Sequence, residues 1–294
     1  MLILLATNLG YAQQGIQYTQ YMYDASLINP AYVGAENVLT INLLHRDQWT
    51  GFEGAPQSQT LTIHSPIGRK QIGSGLIINR ETIGVHTQLS AAGNFAYHAN
   101  VGRESFLSFG LKAGVVNRIS DFQSVQTATP DNAANQNDFR QTNLDVGLGL
   151  LFRNKKLQIG YSIPKLLQQE YELGDSIQVD PGSLNHYVFA GYSFALTDKF
   201  DLAPSFLIKY FSGTPLSYDL NLMTSYLDVI SAGISYRRNE SVDFLVRFQL
   251  TPQFELGYAY DLPIGTIGEV SQASHELLLR YVFKFKYSKV VSPR

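Results

Sequence analysis

Glu276–Tyr287 reads ELLLRYVFKFKY. Taken in steps of two, Leu277, Leu279, Tyr281, Phe283, Phe285 and Tyr287 share one face. Glu276, Leu278, Arg280, Val282, Lys284 and Lys286 share the other. A strand points alternate side chains to opposite faces, so this strand has an apolar face ending in aromatics and a face of mixed charge. In a sandwich the apolar face would meet a second sheet. In an outer-membrane barrel it would meet lipid, and the charged face would line a polar lumen.

The same alternation recurs upstream. Phe200, Leu202, Pro204, Phe206, Ile208 and Tyr210 oppose Asp201, Ser205 and Lys209. Leu216, Tyr218, Leu220 and Leu222 oppose Ser217, Asp219 and Asn221. Val242, Phe244, Val246 and Phe248 oppose Asp243, Arg247 and Gln249. Tyr258, Tyr260 and Leu262 oppose Gly257, Ala259 and Asp261. Fourteen strand candidates follow from Val38 to Tyr287, none with helical periodicity. The third, Ile72–Arg80, is ambiguous because Gly73 and Gly75 interrupt it.

The connections favour the barrel. With the first strand running outward, one end carries only short turns, such as Pro66–Lys70, Asn154–Lys156 and Thr197–Asp198. The other carries Asp47–Gln57, Asn117–Gln141, Pro164–Asn185 and Pro263–Ser274. Short periplasmic turns and longer outer loops are the pattern of outer-membrane barrels. Composition agrees. Charged residues make up 16% of the 294, and mean hydropathy is −0.07, which excludes a bundle of membrane helices. The formal net charge of −2 argues against a general nucleic-acid binder. With 0 cysteines, thiol catalysis, disulfides and Cys-ligated metals are excluded.

The expected organisation has three parts. Residues 1–12, MLILLATNLGYA, read as a signal peptide cut before Gln13, its missing basic n-region suggesting a truncated start. Residues 13–36 read as an ordered periplasmic or plug segment. Residues 37–294 read as one all-β, antiparallel transmembrane barrel of about fourteen strands.

Two stretches resemble the PorP/SprF proteins of type IX secretion and gliding. One is INPAYVGAE, in which Asn29, Pro30, Ala31, Tyr32 and Gly34 match the family's NPAY-x-G motif. The other is HRDQWTGFEGAP, in which Arg46, Gln48, Trp49, Gly51, Phe52, Gly54, Ala55 and Pro56 match R-x-Q-W-x-G-F-x-G-A-P. The order and spacing of the match cover the whole chain. The resemblance implies an outer-membrane barrel without enzymatic activity, one that secretes or anchors a particular cargo protein with a type B C-terminal domain. It also implies a periplasmic peptidoglycan-binding lipoprotein as a possible second partner, beside the bilayer and its lipopolysaccharide.

Candidate sites follow. The Arg46–Pro56 loop is either a cargo-contact loop, with Trp49 and Phe52 as aromatic anchors, or a structural loop folded into the barrel mouth, with Trp49 in an interfacial aromatic belt. Lumen charges are expected at Lys112, Asp145, Asp201, Lys209, Asp219, Asp243, Arg247, Glu255, Asp261, Arg280, Lys284 and Lys286. They could form an ion-paired network, seat an inserted peptide, or stand solvated in lumen water. The segment 13–36 could fill part of the lumen from below or dock on the periplasmic rim. The oxygen-rich stretch Asp131–Asp138 lacks an EF-hand pattern, and the six histidines lack metal-ligand spacing. No cofactor or metal is expected. No G-x-S-x-G elbow is present, so no enzyme is expected. A small-molecule channel is the alternative function.

Overall fold

A computed structural model describes residues 16–68, 71–121, 139–167, 184–211, 214–269 and 271–283. Among the described residues, fifteen strands make one antiparallel sheet that closes on itself. They are β1 Leu39–Asp47, β2 Gln57–Ile67, β3 Ile72–Ile83, β4 His86–Gly102, β5 Ser105–Ser120, β6 Phe139–Arg153, β7 Leu157–Ile163 and β8 His186–Tyr192. They continue with β9 Phe194–Ala195, β10 Phe200–Tyr210, β11 Ser217–Tyr226, β12 Ile230–Arg237, β13 Ser241–Gln249, β14 Phe254–Pro263 and β15 Ser274–Phe283. Both β8 and β9 pair with β10, so they are one stave interrupted at Ser193. β1 pairs with β15 and β10 with β11, which closes a barrel of fourteen staves.

The alternation translates directly into two faces. On β15, Ser274, Glu276, Leu278, Arg280 and Val282 turn inward, while Leu277 stands 40% exposed on the outside. On β11, Asp219 and Asn221 are buried inside, and Leu220 and Leu222 are exposed outside. Closure leaves no sheet edge for lipid to meet, which is what a membrane-spanning sheet requires. Among the described residues no helix is long and apolar enough to cross a membrane.

Several strand boundaries differ from the sequence reading. The third strand runs on to Ile83, and β5 and β6 extend to Ser120 and from Phe139, which shortens the connection expected at Asn117–Gln141. The glycines that blur the third strand have a reason. Gly73 and Gly75 face inward against Val33, and a Cβ on Gly73 would lie 1.8 Å from the Val33 carbonyl oxygen.

That contact identifies where the core sits. It lies inside the barrel and is built around residues 16–36. Tyr21, Ala25, Ile28, Ala31, Tyr32 and Ala35 pack with Leu151, Phe189 and Leu207 of the wall. Met22 and Tyr23 pack on Met223, Leu245 and Ala259. The segment makes two single 3-10 turns, Ala25–Leu27 and Pro30–Tyr32, before feeding β1.

Candidate functional site

Each residue of NPAYVG has a physical task in the interior. Asn29 is the N-cap of the second 3-10 turn, accepting from the Ala31 N–H at 2.9 Å. Short polar side chains are favoured there because they satisfy an orphan donor. Its Nδ2 reaches the wall, donating to the carbonyls of Leu150 at 2.9 Å and Tyr161 at 3.3 Å. Pro30 opens the turn, where a missing N–H costs nothing. Ala31 is fully buried. The Tyr32 hydroxyl donates to Glu36 at 3.0 Å. Gly34 has φ +74°, and a Cβ there would lie 2.6 Å from the Gly73 Cα. Only glycine meets both demands.

Three polar clusters tie the segment to the wall. At its leading end the Thr19 hydroxyl donates to Asp261 at 2.7 Å and accepts from Arg46 at 2.9 Å and Arg237 at 3.3 Å. The backbone N–H groups of Thr19 and Gln20 both donate to the Glu276 carboxylate, at 2.9 and 2.8 Å. Arg46 pairs in turn with Asp261 at 2.7 Å and Glu276 at 3.4 Å. Arg237 and Lys209 both pair with Asp219, at 3.3 and 3.2 Å. Asp243 lies 3.8 Å from Arg237. In the middle, the buried Asp24 carboxylate accepts from Asn42 at 2.6 Å and Thr62 at 2.5 Å. At the trailing end Arg280 donates to the Tyr23 carbonyl at 2.6 Å and pairs with Glu36.

His98 adds a directional contact, its Nε2 lying 3.0 Å from the Val33 carbonyl oxygen. A carbonyl only accepts, so Nε2 carries the proton and Nδ1 accepts from the Ser108 hydroxyl, 2.7 Å away.

The remaining sequence candidates divide. Lys112 pairs with Asp145 at 2.7 Å, and Arg247 with Glu255 at 3.0 Å. Asp201 faces inward near the short-turn end, partly exposed. Lys284, Lys286 and Asp131–Asp138 lie outside the described residues. Among the described residues no group of three or more potential ligands is placed to hold a metal ion. Arg237, Asp24, Glu36 and His64 belong to the interior but escaped the sequence reading, whereas Glu276 lies inside as its strand parity placed it. Strand parity was signal enough for Arg237, two residues from Ser235 on the inward side of β12.

The second motif forms the mouth loop between β1 and β2. Trp49 takes φ 54°, and its N–H donates to Ser274 Oγ at 3.0 Å. Thr50 exchanges backbone hydrogen bonds with the β14–β15 connection, from its N–H to Ala273 at 3.1 Å and from Gln272 to its carbonyl at 2.9 Å. The Gly84 N–H, at the β3–β4 turn, donates to the Gly54 carbonyl at 2.9 Å. Gly51 and Gly54, at φ 85° and 75°, supply the left-handed corners. Trp49 is half-buried, and Phe52 is 55% exposed. A cleft of about 440 Å³ opens beside the loop, lined by Gln48, Thr50, Phe52, Ala55, Gln57 and Thr82 among others. Arg46 departs from the motif's expected place in this loop. Its side chain is 3% exposed and points into the barrel, where it holds Thr19.

No curated protein matches the chain. Solved structures do. The toluene transporter TbuX of Ralstonia pickettii superposes with TM-score 0.51 at 11% identity, over 88% of this chain and 93% of its own. A structure described as the CymD monoaromatic hydrocarbon channel gives 0.53 at 13%, over 90% and 93%. A TodX channel mutant gives 0.51 at 12%, over 89% and 94%. At such identities the likeness is one of fold alone, a closed barrel of the outer-membrane type. The model of the family described as "Type IX secretion system membrane protein PorP/SprF" matches residues 10–281, and the chain belongs to that family.

Proposed function

We propose that this barrel is a cargo-specific accessory of type IX secretion, holding the C-terminal domain of a secreted protein at the cell-surface mouth. The observation that carries this reading is the mouth loop. It is braced on both sides by backbone hydrogen bonds, yet leaves Phe52 exposed above a cleft of about 440 Å³. Exposed aromatics on a fixed scaffold are what protein interfaces use as anchors. Membership of a secretion family implies contact with secretion machinery or cargo, and the family is not one of enzymes. A periplasmic peptidoglycan-binding lipoprotein remains a second proposed partner, at the short-turn end.

The test is affinity purification from the native membrane, wild type against Phe52→Ala. A secreted protein that copurifies with wild type and is lost from the variant supports the reading. Equal recovery from both sinks it. The channel alternative takes its support from what the structural neighbours are called. It requires an open lumen, and the packed interior speaks against that.

A further inference from the structure

The direction in which residues 16–36 thread the barrel has consequences of its own. Gln17 Nε2 lies 3.4 Å from Glu240, in the β12–β13 turn at the long-loop end. Thr19 sits on Arg46 and Glu276, register partners that lie one residue from the strand end at Asp47 and two from the strand start at Ser274. Val33 and Gly34 lie against Gly73, the second residue of β3, at the short-turn end. Glu36 accepts from Thr40, the second residue of β1. The segment therefore runs from the long-loop mouth down to the short-turn end, and only then turns back into the wall.

It also touches the wall all the way round. Glu276 and Thr62 hold it on the β15–β2 sector, and His98 and Ser162 on the β4–β7 sector. The Tyr21 hydroxyl accepts from Asn221 of β11 at 2.6 Å. Where its leading end meets β8 and β10, the gap is a cavity of about 20 Å³, roughly the room one water needs. The wall is shaved to receive it. A Cβ on Gly110 would lie 2.1 Å from the Ala31 nitrogen, and one on Gly149 would lie 2.0 Å from Asn29 Oδ1.

We infer that residues 16–36 are a resident seal of the barrel, with their leading end turned to the cell surface and their trailing end to the periplasm. The seal closes the lumen to small solutes, and Ile16–Gln17 join the mouth loop in the surface seen from outside. This inference is independent of the cargo reading.

Planar-bilayer conductance of the purified full-length protein tests the seal. Wild type is expected to be electrically silent. Gly110→Val with Gly149→Val places strand-favouring side chains where the seal must lie. That double variant is expected to show resolvable open-pore steps while its barrel stays heat-modifiable on gels. Sustained open-pore conductance from wild type overturns the inference. So does a folded double variant that stays silent and leaves a cysteine at Ala31→Cys unreactive to maleimide. If the double variant does not fold, the wild-type recording and the labelling arm decide. In that arm, the cysteine-free background carries Gln17→Cys or Glu36→Cys. A membrane-impermeant maleimide on intact cells is expected to label position 17 and spare position 36. The reverse pattern overturns the direction of threading.

Discussion

The two motifs that mark the family sit in opposite surroundings. NPAYVG is buried in the barrel, with Ala31 fully enclosed and Asn29 bonded to two wall carbonyls. The mouth loop Gln48–Pro56 is held by its backbone and leaves side chains exposed, Phe52 above all. The first motif is short and common in composition, yet every residue of it is used by the fold. The second is long and distinctive, and much of its side-chain surface is spare. Arg46 belongs to the second motif by sequence and serves the first by contact. The two are therefore one assembly, a seal and the rim above it.

The sharpest way to break this comparison is at that shared residue. Arg46→Ala leaves Asp261 and Glu276 without their close cation in an interior where Arg46 and Glu276 are 3% and 0% exposed. Removing one partner of a buried pair typically costs about 3–5 kcal/mol, because the remaining charge stays buried. Urea unfolding of the purified barrel in lipid should show the loss. A change no greater than that of Phe52→Ala would mean that Arg46 belongs functionally with the loop.

Next come the two faces of one strand. Leu220 is 51% exposed on the outside of β11. Leu220→Arg should impair assembly, since arginine on a barrel's lipid face costs about 2–4 kcal/mol near the midplane. In an open, watery lumen Asn221→Arg would be mild. Here Asn221 is buried against Tyr21, so Asn221→Arg should be comparably harmful. Heat-modifiability and membrane abundance of both variants read this directly. A well-tolerated Asn221→Arg would mean that the seal can leave its seat.

The outer half of this comparison was legible in sequence, and the inner half largely was not. Lipid offers no specific partners, so a period-two pattern of Leu, Phe and Tyr is enough to place Leu220, Phe244 and Leu277 on the outside. The interior depends on which distant residues meet, and alternation shows parity without partners. Parity placed Asp219 and Arg280 inside. It did not reveal that Arg280 meets Glu36, 244 positions away, or that Thr19 sits between two arginines. The glycines of β3 read as interruptions of a strand, and Gly149 of β6 gave no signal at all. Their meaning appears only with Val33 and Asn29 lying against them.

A smaller effect is expected inside the first motif. Asn29→Ala removes a cap, worth about 1 kcal/mol, and two wall hydrogen bonds of about 0.5–1.5 kcal/mol each. A loss of about 2–4 kcal/mol in urea unfolding should come with increased maleimide reactivity of a cysteine at Ala31→Cys. An unchanged reactivity would assign Asn29 to local turn geometry alone.

The smallest effect on stability, and the largest proposed effect on function, belongs to Trp49→Ala. The backbone of Trp49 holds the loop through Ser274, and Thr50 holds it through Ala273 and Gln272. None of these bonds needs the indole. The half-buried ring contributes apolar area at the rim, so its removal should cost about 1 kcal/mol or less, as for substitutions away from the core. An aromatic anchor at a protein interface is worth about 2 kcal/mol or more on truncation, which is more than tenfold in affinity. Trp49→Ala should therefore release cargo into the medium while barrel abundance, heat-modifiability and seal accessibility stay as in wild type. If cargo stays attached in Trp49→Ala and in Phe52→Ala, the mouth loop is a structural brace. The half-buried leading end of the seal, beside Glu240, would then be the remaining surface at the mouth for a partner to grip.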